Sequence, residues 1–250
     1  MIKNIFVYWH GGFENAPFVV KKCLESVVMY NSSTWTIHML DEENIRDYID
    51  IDQLGISFQQ KHFSCTARSD LIRLMLLHKY GGVWCDATVF MLKPLDEWLI
   101  HGDIIREGFF AFAYKKSTPH MLSSWFLYAS PGNYIIDTWL KNIIVYFKSH
   151  EKPHNYYYMH QEFTKIYKRD ATFRSIWNNV PRLYESGPHA VQFKYKMLTK
   201  VTPASKEHID GRSSHLCKLT YKQPRLSNMN PGTNIAYLFR TLGPDPKCQA

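Results

Sequence analysis

The stretch from Ala67 to Thr88, ARSDLIRLMLLHKYGGVWCDAT, holds the residues best suited to chemistry. Asp70 and Arg73 are three apart, and Ser69 and Arg73 four apart, so on a helix all three share one face. That face offers an acceptor, a donor fork and a hydroxyl, a set suited to gripping a polyol. Gly81 and Gly82 then turn the chain into a strand that carries Asp86. A carboxylate there can hold a divalent cation or a ribose hydroxyl. The same spacings fit plainer roles. Asp70 and Arg73 can form a surface ion pair worth well under ~1 kcal/mol. A lone aspartate on a strand is more often a turn or cap residue than a metal ligand.

Several elements must position these groups. Ile2–Trp9 is a short β-type run that ends at Gly11 and Gly12. Ala16–Tyr30 reads as a helix with Pro17 in its first turn, and Trp35–Leu40 as a second strand. Asp41–Asp50 reads as a short acidic helix capped by Asp41, and residues 51–64 as a polar loop. Thr66–Tyr80 is the strongest helix, with Leu71, Leu74, Met75 and Leu77 as its apolar stripe. Val83–Val89 and Phe109–Tyr114 read as strands, Tyr134–Ser149 as a helix and 151–170 as helical. Beyond Val180, seven prolines punctuate short segments, so that part reads as irregular. The β–α–β–α–α–β order predicts an α/β fold whose strand ends carry the site. No linker or repeat divides the chain, which reads as one domain over residues 1–250.

At 45% hydrophobic and 21% charged residues, the chain belongs with globular proteins rather than disordered ones. A net charge of +8 and a pI near 9.1 fit nucleic acid, an anionic membrane face or phosphate-bearing small substrates. No helix-turn-helix, RRM or zinc pattern supports nucleic acid. Five scattered cysteines with no CxxC pair read as reduced thiols of a cytoplasmic protein. No apolar run is long enough to span a bilayer, and no signal peptide is visible at the N-terminus.

The segment from Ser69 onward resembles the SDxxRxxxLxxxGGxxxDxD signature of retaining GT-A glycosyltransferases, a group that includes glycosyltransferase family 32 and the glucosylating toxins. The closer resemblance is to bacterial capsular polysaccharide synthesis proteins, where this stretch reads GG-aromatic-xDAT. YWHGGFENAP (8–17), LDEEN (40–44), ASPGN (129–133), FRSIWNNVP (173–181) and KLTYK (218–222) fit that family as well. The resemblance implies a GT-A-like nucleotide-sugar-binding fold, a mixed sheet flanked by helices. It implies that Trp9 stacks on the nucleotide base, although an indole there can equally plug the end of the sheet. Ser69, Asp70 and Arg73 would hold the donor sugar. Asp86, the first aspartate of the motif, would contact ribose and metal. Lys218 and Lys222 would meet the diphosphate as point charges. Trp125, Tyr157, Tyr158, His160 and His189, the last in a Gly187-Pro188-His189 turn, are candidates for the acceptor groove.

Two positions depart from the pattern. Thr88 stands where the motif has its second, metal-chelating aspartate, and Cys217 stands where a late histidine usually precedes KLT. His215 is the nearest histidine and the candidate second ligand, beside Asp86, for Mn²⁺ or Mg²⁺. The implied activity is retaining transfer of a sugar from a nucleotide-sugar, a UDP-sugar above all, in capsule, O-antigen or related polysaccharide synthesis. The acceptor would be a saccharide or lipid-linked saccharide, with peripheral contact at the cytoplasmic face of the inner membrane. In front-face chemistry the leaving phosphate accepts the acceptor's proton, so no dedicated base is required. The alternative is a non-catalytic sugar-nucleotide or carbohydrate-binding member with an eroded metal site.

Overall fold

The computed structural model describes residues 2–56, 63–114, 120–186, 189–193, 196–210, 213–222 and 230–243. Strand β1 (Asn4–Tyr8), helix α1 (Phe18–Asn31) and strand β2 (Thr36–Leu40) open the chain, followed by helix α2 (Cys65–Tyr80) and strand β3 (Gly82–Cys85). β2, β1 and β3 lie side by side and parallel. Strands β4 (Val89–Met91), β5 (Phe109–Ala113) and β6 (Leu122–Ala129) follow. β6 and β5 extend the main sheet in the antiparallel sense, giving the order β2-β1-β3-β6-β5. This is the expected mixed sheet. Helices α3 (Tyr134–Ser149), α4 (Tyr158–Arg169) and α5 (Ala171–Asn179) pack beside it.

The chain beyond Val180 is more ordered than its prolines suggest. Strand β7 (Ala190–Gln192), helix α6 (Pro203–Ile209), strand β8 (Leu216–Lys218) and helix α7 (Asn234–Arg240) follow. β4, β8 and β7 form a second sheet of three strands. Its apolar cluster joins Phe90, Cys217 and Leu219 to Val19 and Cys23 of α1 and to Ile235, Leu238 and Phe239 of α7. Each strand is only three residues long, too short for alternation to show in the sequence.

Two local expectations change, and one strand has no counterpart in the sequence reading. The run Val83–Val89 is two strands in different sheets, broken by a turn in which the Val89 amide donates to the Asp86 carbonyl at 2.9 Å. Asp41–Asp50 forms only a 3₁₀ turn at Ile45–Asp47; the Asp41 carboxylate does cap the chain, accepting from the Glu43 and Asn44 amides. Strand β6, LSSWFLYA, is buried along its whole length although two serines sit in it. Ser123 donates to the Phe112 carbonyl and Ser124 accepts from Arg73, so neither hydroxyl is wasted. Among the described residues no helix is long and apolar enough to cross a membrane.

α2 is tied at both ends. The Ser64 hydroxyl accepts from the Ala67 amide, and Gly81 closes the helix at φ +64°. Gly82 follows at φ +101°, where a Cβ would stand 2.5 Å from the Asn4 carbonyl oxygen of β1. Only glycine lets β3 leave α2 and still lie against β1. Gly82→Ala should therefore destabilise the fold by about 2–3 kcal/mol, read as a lower urea midpoint at an unchanged slope.

Candidate functional site

The parallel strands β1 and β3 share a register, Ile5 with Val83 and Phe6 with Trp84. Continued two residues, that register sets Tyr8 beside Asp86, so Trp9 and Asp86 emerge at neighbouring strand ends. In parallel sheets this carboxyl-end edge is where ligands are received. The turn after β3 holds Asp86 at the junction of the two sheets. Its amide donates to the Trp125 carbonyl of β6 at 2.9 Å. Trp84 lies two residues back on the same strand face, and its indole N–H donates to Asp86 Oδ1 at 2.9 Å.

Arg73 reaches this carboxylate from α2. Its Nη2 lies 3.4 Å from Asp86 Oδ1 and 3.1 Å from Asp70 Oδ1. Nη1 donates to both the carbonyl and the hydroxyl of Ser124, each at 2.8 Å, and Nε to the Ser69 carbonyl at 3.3 Å. Nη2 also reaches the Ser69 hydroxyl at 3.3 Å. The guanidinium stands 5.0 Å over the Trp84 ring. Four of its five N–H groups thus donate within the protein, and Nη2 keeps ion-pair contact with both Asp70 and Asp86. Asp70 is equally occupied, because its second oxygen accepts from the Tyr158 hydroxyl at 3.0 Å. The pair is buried, at 7% and 4% exposure, and is no surface ion pair. Tyr158, read as a groove residue, is instead enclosed beneath Asp70.

Lys218 comes from β8, which pairs with β4 so that Lys218 faces Val89. Its ammonium donates to Asp86 Oδ2 and to Thr88 Oγ1, both at 2.7 Å. Burial alone would raise the Asp86 carboxyl, but the Lys218 ammonium and the Arg73 guanidinium outweigh it and hold it below its ordinary value. Asp86 is therefore a firm anion, with its side chain a quarter exposed.

The remaining candidates divide. Trp9 is half-buried and meets the exposed Tyr221 ring edge-on at 5.0 Å, so one face-to-edge aromatic pair borders this edge of the sheet. The Trp125 indole is buried, stacks on Phe112 at 5.1 Å, and its Nε1 has no partner among the described residues. His160 is buried within electrostatic reach of Arg73 and Asp86, and its Nδ1 also has no partner among the described residues. Burial, with repulsion from His120 and Arg73, lowers its pKa to about 3. It is a neutral imidazole at any ordinary pH, able to hydrogen-bond but weak as a base. Tyr156, on the loop before α4, also senses Asp86, Asp70 and Arg73. Lys222 lies exposed at the end of the KLTYK segment. Gly187 and Pro188 lie outside the described residues.

His215 and His189 are placed elsewhere. His215 pairs with Leu92 at the far end of β8, three residues from Lys218, or about 10 Å at the usual strand rise. It stacks on Trp98 at 4.7 Å, and His189 stacks on it at 5.4 Å. The structure therefore does not bring His215 to Asp86. Cys217 is enclosed in the second apolar cluster, where burial pushes its thiol well up and keeps it protonated. Among the described residues no group of three or more His, Cys, Asp and Glu can hold a metal ion. A hard divalent cation needs several oxygens at 2.0–2.6 Å. Here one carboxylate and one hydroxyl converge, and an ammonium already lies between them. The donor set around Asp86 fits an ammonium and does not fit Mn²⁺ or Mg²⁺. A separate groove of about 900 Å³, lined by Met75, His78, Lys79 and Leu140 among others, includes none of the residues described above.

Sequence reading missed Trp84, Ser124, Tyr156 and Tyr221. Trp84 had a signal, since strand alternation puts it on the Asp86 face. Ser124 had none, because only the pairing of β6 with β3 brings it to Arg73.

Residues 1–237 match the family model described as capsular polysaccharide synthesis protein. The chain is 30% identical over 104 residues to the O-glycosyltransferase braB of Annulohypoxylon truncatum, covering 38% of this chain and 25% of that protein. It is 25% identical over 138 residues to the O-glycosyltransferase PaGT of Phomopsis amygdali, covering 50% and 34%. It thus spans a quarter to a third of the length of these relatives. The apo-form glycosyltransferase GlyE of Streptococcus pneumoniae TIGR4 superposes with a TM-score of 0.54, over 97% of this chain and 60% of that one. At 10% identity the likeness is one of fold.

Burial pushes the Asp70 carboxyl up to about 6 from its ordinary 3.8, against the pull of Arg73 and the Tyr158 hydroxyl. In that window the folded chain binds a proton that the unfolded chain has released, so this group's contribution to stability falls as pH rises from about 4 to about 6. Asp70→Asn removes the titration. The stability of the variant minus that of the parent should grow across the window by up to about 3 kcal/mol. Urea unfolding at both ends of the window measures it; a difference independent of pH would refute the assignment.

Proposed function

From its membership of the capsular polysaccharide synthesis protein family, we propose that this chain is a glycosyltransferase moving a sugar, with retention, from a nucleotide-sugar to a hydroxyl of a saccharide acceptor. The observation that carries the reading is the Asp86–Lys218 pair at the carboxyl edge of β3, beside Trp9. An anion and a cation held together there suit the two ends of a nucleoside diphosphate. Asp86 can accept from a ribose hydroxyl, and Lys218 can meet the phosphates. The half-buried Trp9 face suits a base, and a uracil is the ring we assign to it. Arg73 and Asp70, with their polar atoms engaged inside the protein, align the carboxylate rather than grip the sugar. Their role in the family signature then passes through Asp86.

The step breaks the bond between the sugar's anomeric carbon and the phosphate oxygen. The electron pair leaves with the diphosphate, and the acceptor oxygen bonds the same face of an oxocarbenium-like carbon. Its proton passes to the departing phosphate. Trp125 Nε1 and His160 Nδ1, both buried and without partners among the described residues, are candidates to hold the acceptor. Relatives named as O-glycosyltransferases support a hydroxyl acceptor. A basic surface of net charge +8 suits an anionic donor, and a lipid-diphosphate acceptor at a cytoplasmic leaflet as well.

Thermal shift over UDP-, GDP- and CMP-sugars tests the reading. A donor at about 100 times its dissociation constant should stabilise the fold by about 2.7 kcal/mol. Hydrolysis of that donor separates an enzyme from a binding protein. Trp9→Ala should weaken UDP binding by about 1 kcal/mol or more while leaving the fold intact. Unchanged UDP affinity in the folded variant would remove Trp9 from the donor site.

A further inference from the structure

The departure of Thr88 from the wider GT-A signature has a structural explanation. Thr88 stands where the wider GT-A signature has a second carboxylate, whereas Cys217 is turned into the second apolar cluster and away from Asp86. What fills the space is Lys218, at 2.7 Å from Asp86 Oδ2 and 2.7 Å from Thr88 Oγ1. A second aspartate at position 88 would leave this ammonium between two anions. Threonine gives it a hydroxyl acceptor and adds no charge. An ammonium has three N–H donors. Two are used by Asp86 and Thr88, and the side chain is 16% exposed, so the third N–H points to a ligand or to solvent.

We propose that Lys218 replaces the divalent cation: its ammonium, held by Asp86 and Thr88, binds the donor diphosphate directly, and the site works without a metal ion. This rests on the reading of the chain as a nucleotide-sugar transferase. Lys218 gives up no proton. As the anomeric carbon–oxygen bond breaks, the growing phosphate charge is met by its third N–H, and the acceptor proton goes to a phosphate oxygen. Asp86 is then the holder of a cation, as the signature requires, but the cation is part of the chain. The turn between β3 and β4 and the pairing of β4 with β8 set its place, so it is positioned before the donor arrives.

Calorimetric titration with UDP, in excess EDTA and again with Mn²⁺, tests this on the unaltered protein. We expect the two affinities to agree within about twofold, and Mn²⁺ alone, followed by its electron spin resonance, to stay free of the protein. Lys218→Ala should weaken UDP binding about tenfold or more, the loss of one charge-assisted hydrogen bond, and Lys218→Arg should retain most of it. Lys218→Asp should acquire Mn²⁺ binding that the parent lacks, by setting a second carboxylate beside Asp86. UDP binding by the parent only when Mn²⁺ is present would overturn the proposal, as would wild-type UDP affinity in Lys218→Ala. The parent measurement decides even where a variant fails to fold. No binding of UDP, GDP or CMP under either condition would instead refute the donor reading, and this inference with it.

Discussion

The Arg73 guanidinium is the interaction on which the rest of the site depends. It is a buried cation that joins one helix and two strands: Ser69 and Asp70 on α2, Asp86 at the end of β3 and Ser124 on β6. A buried charge is tolerable only when its donors are satisfied, and a planar fork of five N–H groups can satisfy them in three directions at once. Lysine could not do this. The cost of hiding the charge is offset because each partner is a group that itself needs a donor. The result is a carboxylate, Asp86, one oxygen of which is fixed by the enclosed Trp84 and Arg73.

Around that anchor the two sheets divide the work. The main sheet brings Trp9 and Asp86 to one edge through the parallel pairing of β1 and β3. The small sheet brings Lys218 to the same edge through β8. The break at Asp86–Thr88 makes both possible, since a strand running straight through would keep the two sheets as one and leave Lys218 without a place. The apolar cluster that seats the small sheet on α1 is thus part of the site's support. It uses Cys23 and Cys217 as small buried hydrophobes and not as ligands.

Much of this was legible in the sequence. The helical spacing of Ser69, Asp70 and Arg73 and the double glycine stand where expected, while Asp86 lies in the turn just past its strand rather than within one. What the spacing could not tell was that Arg73 spends its donors inside the protein, because Ser124 and Trp84 meet it only after the sheet has formed. Strand β6 was hidden by its serines, which read as polar until their partners are known. The short strands of the second sheet were hidden by their length. His215 was chosen for its nearness in sequence to Cys217, yet in a strand three residues are a long way, and Lys218 stands at the near end instead.

The separation of Asp86 and Lys218 in the chain, 132 residues, carries a consequence for how the protein comes into being. Synthesis runs from the N-terminus, so a nascent chain holds Trp9, Arg73 and Asp86 long before β8 exists. Through that interval the carboxylate faces only Arg73 and Trp84, and its other oxygen meets water. Closing so long a loop is slow, and only the pairing of β8 with β4 completes it. The Lys218 ammonium therefore arrives late, and until the second sheet docks the Asp86 carboxylate lacks that partner.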